Sequence, residues 1–370
     1  MFRTKKAYIF TNPMVASNKS VEVTLSKFVR VISPLYEEVV VVGGNINLED
    51  DLEGINKKSF AINRAKHKWK RVIDIIFLQI RIFLFVLKNV KKTDVAYFWI
   101  ADKMLFPFWA NKIKRSEINY FIYGNMGKRQ FPSRLDRISS KLIRYMAGRS
   151  DYLCMESKSV LNDWEPLRYN AIRIIHLYTD TRLASPLNKR DRTLGMVCRL
   201  TPGKHVIECI RAMASVHEKC PSWRLEIIGA GIQEKECREE IEKLNAHDYI
   251  KMLGWVEHGQ IYERVKAWFF LLYPTDMEGM PNGLIEMMGY GIPGLVSYVG
   301  GIRDIVEDET NGFILPDTTQ NKIELGIMKI VNLEESEYQN LIREAYSVVA
   351  NKYSLEAAIE DAKLAVGVDR

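Results

Sequence analysis

Cysteine is scarce in this chain. Its 370 residues hold five, Cys154, Cys198, Cys209, Cys220 and Cys237, an odd number with no CxxC spacing among them. That argues against a disulfide scaffold or a zinc ribbon and predicts reduced, mostly buried thiols in a cytoplasmic protein. The first residues, MFRTKKAYIFTNP, lack the apolar stretch and small-residue cleavage site of a signal peptide, so none is expected. Long hydrophobic runs are missing too. The most apolar stretch, Val72 to Leu87, is interrupted by Asp74, Gln79 and Arg81 and is shorter than a spanning helix needs, so no transmembrane helix is expected. No repeat of solenoid period is present. Acid is nearly absent from one region: between Lys57 and Lys92 stand 11 Lys and Arg and a single acid, Asp74. With a formal net charge of +7 on the whole chain, such a field attracts phosphates, whether in nucleic acid, anionic lipid or a phosphorylated substrate.

What is present fits two α/β domains. The length exceeds one ordinary domain, and 47% apolar with 27% charged residues is the balance of a globular chain with real cores. The C-terminal half alternates strand and helix. LGMVC reads as a buried strand, and Thr201-Pro202 as a helix start with Thr as N-cap, the helix running to about His217. RLEIIGAG, IKMLGWV, FFLLYP and PGLVSYVGG read as further strands. Between them lie helices over roughly Gln233 to Leu244, over GQIYERVKAW, and over PNGLIEMMGYG, opened by Pro281 and closed by Gly291. This pace implies parallel βαβ units in a doubly wound sheet. The N-terminal half repeats the logic with strands at KAYIFTN, EEVVVVGGN, DVAYFWI, INYFIYGN and DYLCMES. Polar SPLNKRDR places a domain boundary near Leu183 to Arg192, and the tail from Tyr353 has helical periodicity.

Ligands of open parallel sheets bind beyond the C-terminal strand ends, against helix N-termini. Three such places carry unusual residues. In CRLTPGK, Arg199 ends a strand and Lys204 enters the first turn of the next helix. A helix start repels cations, so a pair there suits an anion such as a diphosphate. Two ordinary surface cations are the alternative. In PTDMEGMPNGLIEMMGYGIP, Glu278 precedes the helix and Glu286 lies about one turn inside it. Gly279, Met280, Asn282 and Gly283 offer N–H groups between them, and Pro281 removes a donor the helix does not use. Amides for phosphate oxygens, flanked by carboxylates for hydroxyls, suit a nucleotide sugar. The alternative is a loop charge, a solvated helix position and plain core methionines. The third place, Gly229-Ala230-Gly231, is an incomplete dinucleotide fingerprint, with Glu234 where the third glycine belongs; a tight strand-to-helix turn is the plainer reading. Val299-Gly300-Gly301 either forms a turn or brings backbone toward the site.

Together these residues resemble the donor domain of the large retaining glycosyltransferase family 4, the group 1 glycosyl transferases with the GT-B fold. The family pattern R-L-x-P-x-K stands here as Arg199 to Lys204. The GxG turn is Gly229 to Gly231, and the strand-end L-G is Leu253-Gly254. E-G-x-P-N-x-L-x-E-x-M-x-x-G-x-P runs from Glu278 to Pro293, followed by Gly300-Gly301 and Asn311-Gly312. The match covers about residues 194 to 316. The resemblance implies two Rossmann-like domains with a cleft between them: an acceptor-binding domain over 1–185, a nucleotide-sugar-binding domain over 186–352, and a C-terminal helix over 353–370 packing back on the first. It implies that Arg199 and Lys204 neutralise the donor diphosphate, that Glu278 holds the donor sugar and that Glu286 binds the ribose. Leu253 would border the base, and Gly229, Gly279, Met280, Pro281, Asn282, Gly283 and Leu284 would complete the donor site. The implied reaction moves a sugar from a UDP- or GDP-linked donor to a glycan or lipid-linked acceptor in polysaccharide or glycolipid synthesis. It retains anomeric configuration, needs no metal or other cofactor, and lets the leaving phosphate help take the acceptor proton.

The N-terminal half departs from that pattern. The loop Thr11-Asn12-Pro13-Met14-Val15-Ala16 has no glycine, and Tyr123-Gly124-Asn125-Met126 stands where many members place a histidine. His176, near the boundary, reads as structural. Residues 64–92 combine Lys66, Lys68, Lys70, Arg71, Lys88, Lys91 and Lys92 with Trp69, Phe77, Phe83 and Phe85, a composition suited to an anionic membrane surface or to a buried helix with snorkelling basic ends. The chain is therefore expected in the cytoplasm, free or held at the inner face of the plasma membrane. No nucleic-acid recognition motif is found. A GT-B sugar-nucleotide epimerase and a non-catalytic sugar-nucleotide-binding scaffold are the competing functions.

Overall fold

Short runs of Val, Ile, Tyr and Phe form the strands, and every pairing between named strands is parallel. The computed structural model describes residues 5–12, 19–52, 54–62, 68–101, 104–122, 134–164, 169–181 and 190–367. Parallel neighbours need a crossover, and helices supply it. The chain divides into two compact units, Met1–Tyr178 with Leu355–Arg370, and Thr179–Ser354.

The first unit contains β1 (Lys6–Phe10), β2 (Glu38–Gly44), β3 (Asn56–Phe60), β4 (Val95–Phe98), β5 (Glu117–Phe121), β6 (Tyr152–Met155) and β7 (Ile172–Ile174). They form one sheet in the order β3-β2-β1-β4-β5-β6-β7. Its helices are α1 (Lys19–Ile32), α2 (Lys68–Asn89), α3 (Leu105–Lys114), α4 (Arg134–Ala147) and α11 (Leu355–Val366). Successive side chains of a strand face opposite ways. Ala7 and Ile9 of β1 therefore pack with Phe28 of α1 and Ala358 of α11, whereas Tyr8 and Phe10 pack with Ile82 of α2 and Phe108 of α3. Both faces are covered, as all-parallel sheets require. His176 is structural: it is buried, with Nδ1 3.0 Å from the Leu177 carbonyl and Nε2 2.9 Å from Asp361 of α11.

The second unit contains β8 (Thr193–Val197), β9 (Arg224–Ile228), β10 (Ile250–Gly254), β11 (Phe270–Tyr273), β12 (Gly294–Ser297) and β13 (Gly312–Leu315), in the order β10-β9-β8-β11-β12-β13. Its helices are α5 (Val206–Lys219), α6 (Glu234–Lys243), α7 (His258–Val265), α8 (Asn282–Gly289), α9 (Gln320–Val331) and α10 (Glu335–Lys352). One face of the sheet packs against α5, α6 and α9 around Leu194, Met196 and Leu225. The other packs against α7 and α8 around Leu271, Tyr273 and Val296.

Three strands escape a sequence reading: β3, β7 and β13. All three are edge strands. An edge strand has a partner on one side only and carries less of the continuous apolar signal. In β3, four of the five residues, NKKS, are exposed.

Candidate functional site

In the second unit β8 and β11 lie side by side, but the chain leaves β8 toward β9 on one flank and leaves β11 toward β12 on the other. This reversal opens a crevice at the strand C-termini, where open α/β sheets bind ligands. Arg199 and Lys204 follow β8; Glu278 follows β11.

Lys204 does not sit in the first turn of the following α-helix. Pro202–Lys204 is a separate 3-10 turn, closed by His205 in the left-handed region at φ 48°, and α5 starts at Val206 and ends at Lys219. Thr201 is extended and makes no side-chain cap. The expected helix start is thus corrected to a tight turn, whose His205 kink re-aims the chain. The turn is tied to the loop after β11: the Asp276 N–H donates to the Gly203 carbonyl at 3.1 Å, the Thr275 hydroxyl donates to the same oxygen at 3.2 Å, and His205 Nε2 lies 2.6 Å from Asp276 Oδ1.

The result brings Lys204 and Glu278 together. Lys204 Nζ donates to Glu278 Oε2 at 2.6 Å, and the Tyr273 hydroxyl donates to the same oxygen at 3.0 Å. The ion pair is partly shielded, with side-chain exposures of 15% and 18%. Nζ also lies 5.1 Å from the centre of the Tyr273 ring, a cation–π approach. Burial, then the nearby Glu278 charge, pushes the Tyr273 pKa well up, so its hydroxyl remains a donor. Arg199 is exposed at the end of β8 and acts on Tyr273 in the opposite sense, through its positive charge.

Glycines set the backbone around this pair. The Gly301 N–H donates to the Gly279 carbonyl at 2.9 Å, and a Cβ on Gly300 would stand 1.7 Å from the Glu278 carbonyl oxygen. The Val299–Gly301 segment therefore presses against the backbone of Glu278 and Gly279. Gly229 and Gly231 have a similar cause: a Cβ on either would stand 1.9 Å from the Cys198 or 2.2 Å from the Leu200 carbonyl oxygen. They let the turn after β9 run alongside the segment that carries Arg199.

Helix α8 begins at Asn282, four residues after Glu278, so a helical spacing of Glu278 and Glu286 does not apply. The Asn282 N–H bonds to Met280 and that of Ile285 to Pro281, which leaves the Gly283 and Leu284 amides outside the helix ladder. Met280 and Leu284 bury their side chains in the core beside Tyr273, so what they can present to a ligand is backbone. Glu286 is nearly buried; its Oε1 accepts from the Tyr290 hydroxyl at 3.1 Å and lies 2.9 Å from His258 Nε2. The two glutamates thus have different partners. Leu253, at the end of β10, is partly buried against the same core. Among the described residues no group of three or more His, Cys, Asp or Glu is placed to hold a metal ion. Pro13 to Ala16 and Tyr123 to Met126 lie outside the described residues.

A sequence reading misses Tyr273, His258 and Glu156. Tyr273 was legible in principle, because it closes a strand at the ligand-binding edge of the sheet. Glu156, just after β6, is a buried carboxyl whose Oε1 has no hydrogen-bond partner, and burial pushes its pKa up to about 8. The folded value lies above the unfolded one, so between about pH 5 and pH 8 the unfolded chain has released a proton that the folded chain keeps, and stability falls as pH rises through that window. Glu156→Gln is expected to remove this decline, on the order of a few kcal/mol at pH 8. Urea unfolding of both proteins at pH 5 and pH 8 measures it, and equal slopes would contradict it. A cavity of about 550 Å³ in the first unit, lined among others by Lys6, Glu38, Lys57 and Asp94, lies at the N-terminal strand ends, the wrong edge for a sheet ligand.

Comparison with known proteins bears on the second unit most. Residues 179–348 match the family model of the glycosyl transferases group 1. The chain is 30% identical over 162 residues to the UDP-N-acetylglucosamine–peptide N-acetylglucosaminyltransferase GtfA subunit of Streptococcus gordonii, an alignment spanning 41% of this chain and 31% of that protein. An uncharacterized glycosyltransferase of Haemophilus influenzae is 22% identical over 330 residues, 88% of this chain and 89% of its own. The crystal structure of Anabaena HepE in complex with UDP and glucose superposes with a TM-score of 0.76 at 15% identity, covering 98% of this chain and 99% of that one, a likeness of fold.

Proposed function

We propose that this chain, whose residues 179–348 match the glycosyl transferases group 1, is a glycosyltransferase that moves a sugar from a nucleotide-diphosphate sugar to a glycan or lipid-linked acceptor. The observation that carries this reading is the Lys204–Glu278 contact of 2.6 Å, between the segments after β8 and β11 where the sheet reverses. A carboxylate held by one ammonium and one phenol is placed to accept from sugar hydroxyls, and the ammonium to meet a diphosphate.

In this proposal the donor enters with its diphosphate against Lys204, Arg199 and the Gly283 and Leu284 amides. Gly279, Met280, Pro281 and Asn282 shape that cradle with backbone, and Gly229 gives the β9 turn its close approach. Glu278 grips the transferred sugar. Glu286, braced by Tyr290 and His258, takes the ribose hydroxyls, and Leu253 borders the base. The anomeric C–O bond breaks and the nucleoside diphosphate departs; the acceptor oxygen bonds to the anomeric carbon from the same face, with retention. The acceptor proton passes to the departing phosphate oxygen. Fixed cations and amides stabilise the leaving charge without solvent reorganisation. On this reading they take the place of a divalent metal. Residues 186–352 form the donor half and residues 1–185 the acceptor half.

UDP release from UDP-glucose and UDP-N-acetylglucosamine, followed in EDTA with a sugar-alcohol acceptor panel, tests the reading. The expected result is release with one donor and an α-linked product by proton NMR. An inverted product would refute retention, and nucleotide binding without release from any donor would leave a scaffold as the better account.

A further inference from the structure

Helix α2 is apolar on its outward face as well as on the face that packs against the sheet. Leu78, Ile82 and Val86 are buried, while Val72, Ile73, Ile76, Phe77, Ile80 and Leu84 are exposed, Phe77 to 61% and Leu84 to 59%. Helix α3 lies alongside: the Phe106 N–H donates to Gln79 Oε1 at 3.1 Å, and Lys114 Nζ donates to the Leu87 carbonyl at 3.1 Å. It extends the surface with Phe106, Trp109 and Ile113, the last exposed to 60%. A helix apolar on all sides is ordinarily buried, and an exposed patch across two helices marks an interaction surface.

The charges say which partner covers it. Exposed Lys70 lies near the start of α2, exposed Lys88, Lys91 and Lys92 lie at and beyond its end, and exposed Arg115 follows α3. Asp74 is the one acid of α2, and α3 has none. A second copy of the chain would bring cations against cations. A neutral protein surface would leave them unmatched. An anionic bilayer matches both features, with acyl chains for the apolar side chains and phosphates for the lysines. The helix lies on such a surface and does not cross it, since no helix among the described residues is long and apolar enough to span. Trp109 suits the boundary, with an apolar body and one polar N–H.

We propose that the α2–α3 face of the first unit docks on an anionic phospholipid bilayer, with α2 parallel to its plane. The proposal rests on the first unit alone and is independent of the donor-site reading. The full chain is sedimented with vesicles of phosphatidylcholine containing about one third phosphatidylglycerol, and with pure phosphatidylcholine, at low and high salt. Strong binding to the anionic vesicles at low salt is expected, weakened by high salt. Lys88→Glu/Lys91→Glu/Lys92→Glu is expected to weaken binding about a hundredfold or more, at roughly fivefold per charge. Phe77→Ser/Leu84→Ser/Ile113→Ser is expected to weaken it comparably even at low salt. Circular dichroism checks that each variant is folded, and the thermal shift by UDP should be unchanged by either set, which separates this proposal from the donor site. No binding to anionic vesicles at low salt overturns the proposal, as does unaltered binding by both variants. A concentration-dependent dimer, dispersed by the Phe77/Leu84/Ile113 variant and indifferent to vesicles, overturns it in favour of a second copy.

Discussion

Glu278→Ala is expected to lower sugar transfer a hundredfold or more while UDP still binds. One carboxylate oxygen takes donations from both the Lys204 ammonium and the Tyr273 hydroxyl. A hydrogen bond to a charged group contributes about 1.5–3 kcal/mol, and roughly 2.7 kcal/mol lost from the transition state is a hundredfold in rate. The nucleotide contacts proposed for Glu286 and the α8 amides are elsewhere in the unit and should survive. Glu278→Gln separates charge from shape. It keeps an acceptor for Tyr273 but leaves Lys204 without its counter-charge, so its activity should lie between the two. Initial-rate kinetics with UDP-sugar, alongside UDP affinity by calorimetry, check both variants. A turnover unchanged in Glu278→Ala would remove this residue from the mechanism.

Gly300→Ala is expected to be nearly inactive and less stable than the native chain by on the order of 2–4 kcal/mol. Gly300 stands at φ 50°, where an L side chain is strained, and a Cβ there would come within 1.7 Å of the Glu278 carbonyl oxygen. That atom is backbone and cannot swing aside like the end of a long side chain. Relief requires the Glu278 loop to move, and with it the carboxylate that meets Lys204. Gly254→Ala is the control, because it shares a positive φ of 72° but has no atom within 4 Å of the added Cβ. Urea unfolding and transfer rates should show a loss of activity at Gly300 beyond what Gly254 loses through backbone strain. Equal effects at the two positions would contradict the role assigned to the Gly300 contact.

The legibility of the sequence followed runs of apolar residues bounded by turn signals. Central strands such as β1, β2, β8 and β11 are runs of apolar residues bounded by turn signals, and they read directly as strands. The edge strands β3, β7 and β13 did not: β3 is mostly exposed and β7 is three residues with a central arginine, although edge position alone does not decide, since the edge strand β10 reads as one. The candidate site was legible as a set of residue types: Arg199, Lys204, Glu278, Glu286 and the amide-rich approach to α8 stand in a recognisable order. The coupling between them was not. That Lys204 bonds Glu278 depends on the side-by-side strands β8 and β11, their contact spanning 74 residues of sequence, while the Tyr273 brace and the approach of His258 to Glu286 depend on how the loops after β10 and β11 fold back. His205 in the left-handed region also overrode a Thr-Pro helix signal, because the turn it closes is held by Thr275 and Asp276 from a distant loop. Local propensity yields to tertiary contact at such a point.

The central claim is that the second unit holds a nucleoside diphosphate at the β8–β11 crevice through Lys204 and the start of α8. Thermal unfolding in EDTA with UDP or GDP tests it most directly, because a ligand selective for the folded state stabilises it by about 2.7 kcal/mol at a hundred times its dissociation constant. The account predicts a rise in Tm with one of the two, and loss of most of that rise in Lys204→Ala. No shift with either nucleotide, or a shift that Lys204→Ala leaves intact, would contradict it.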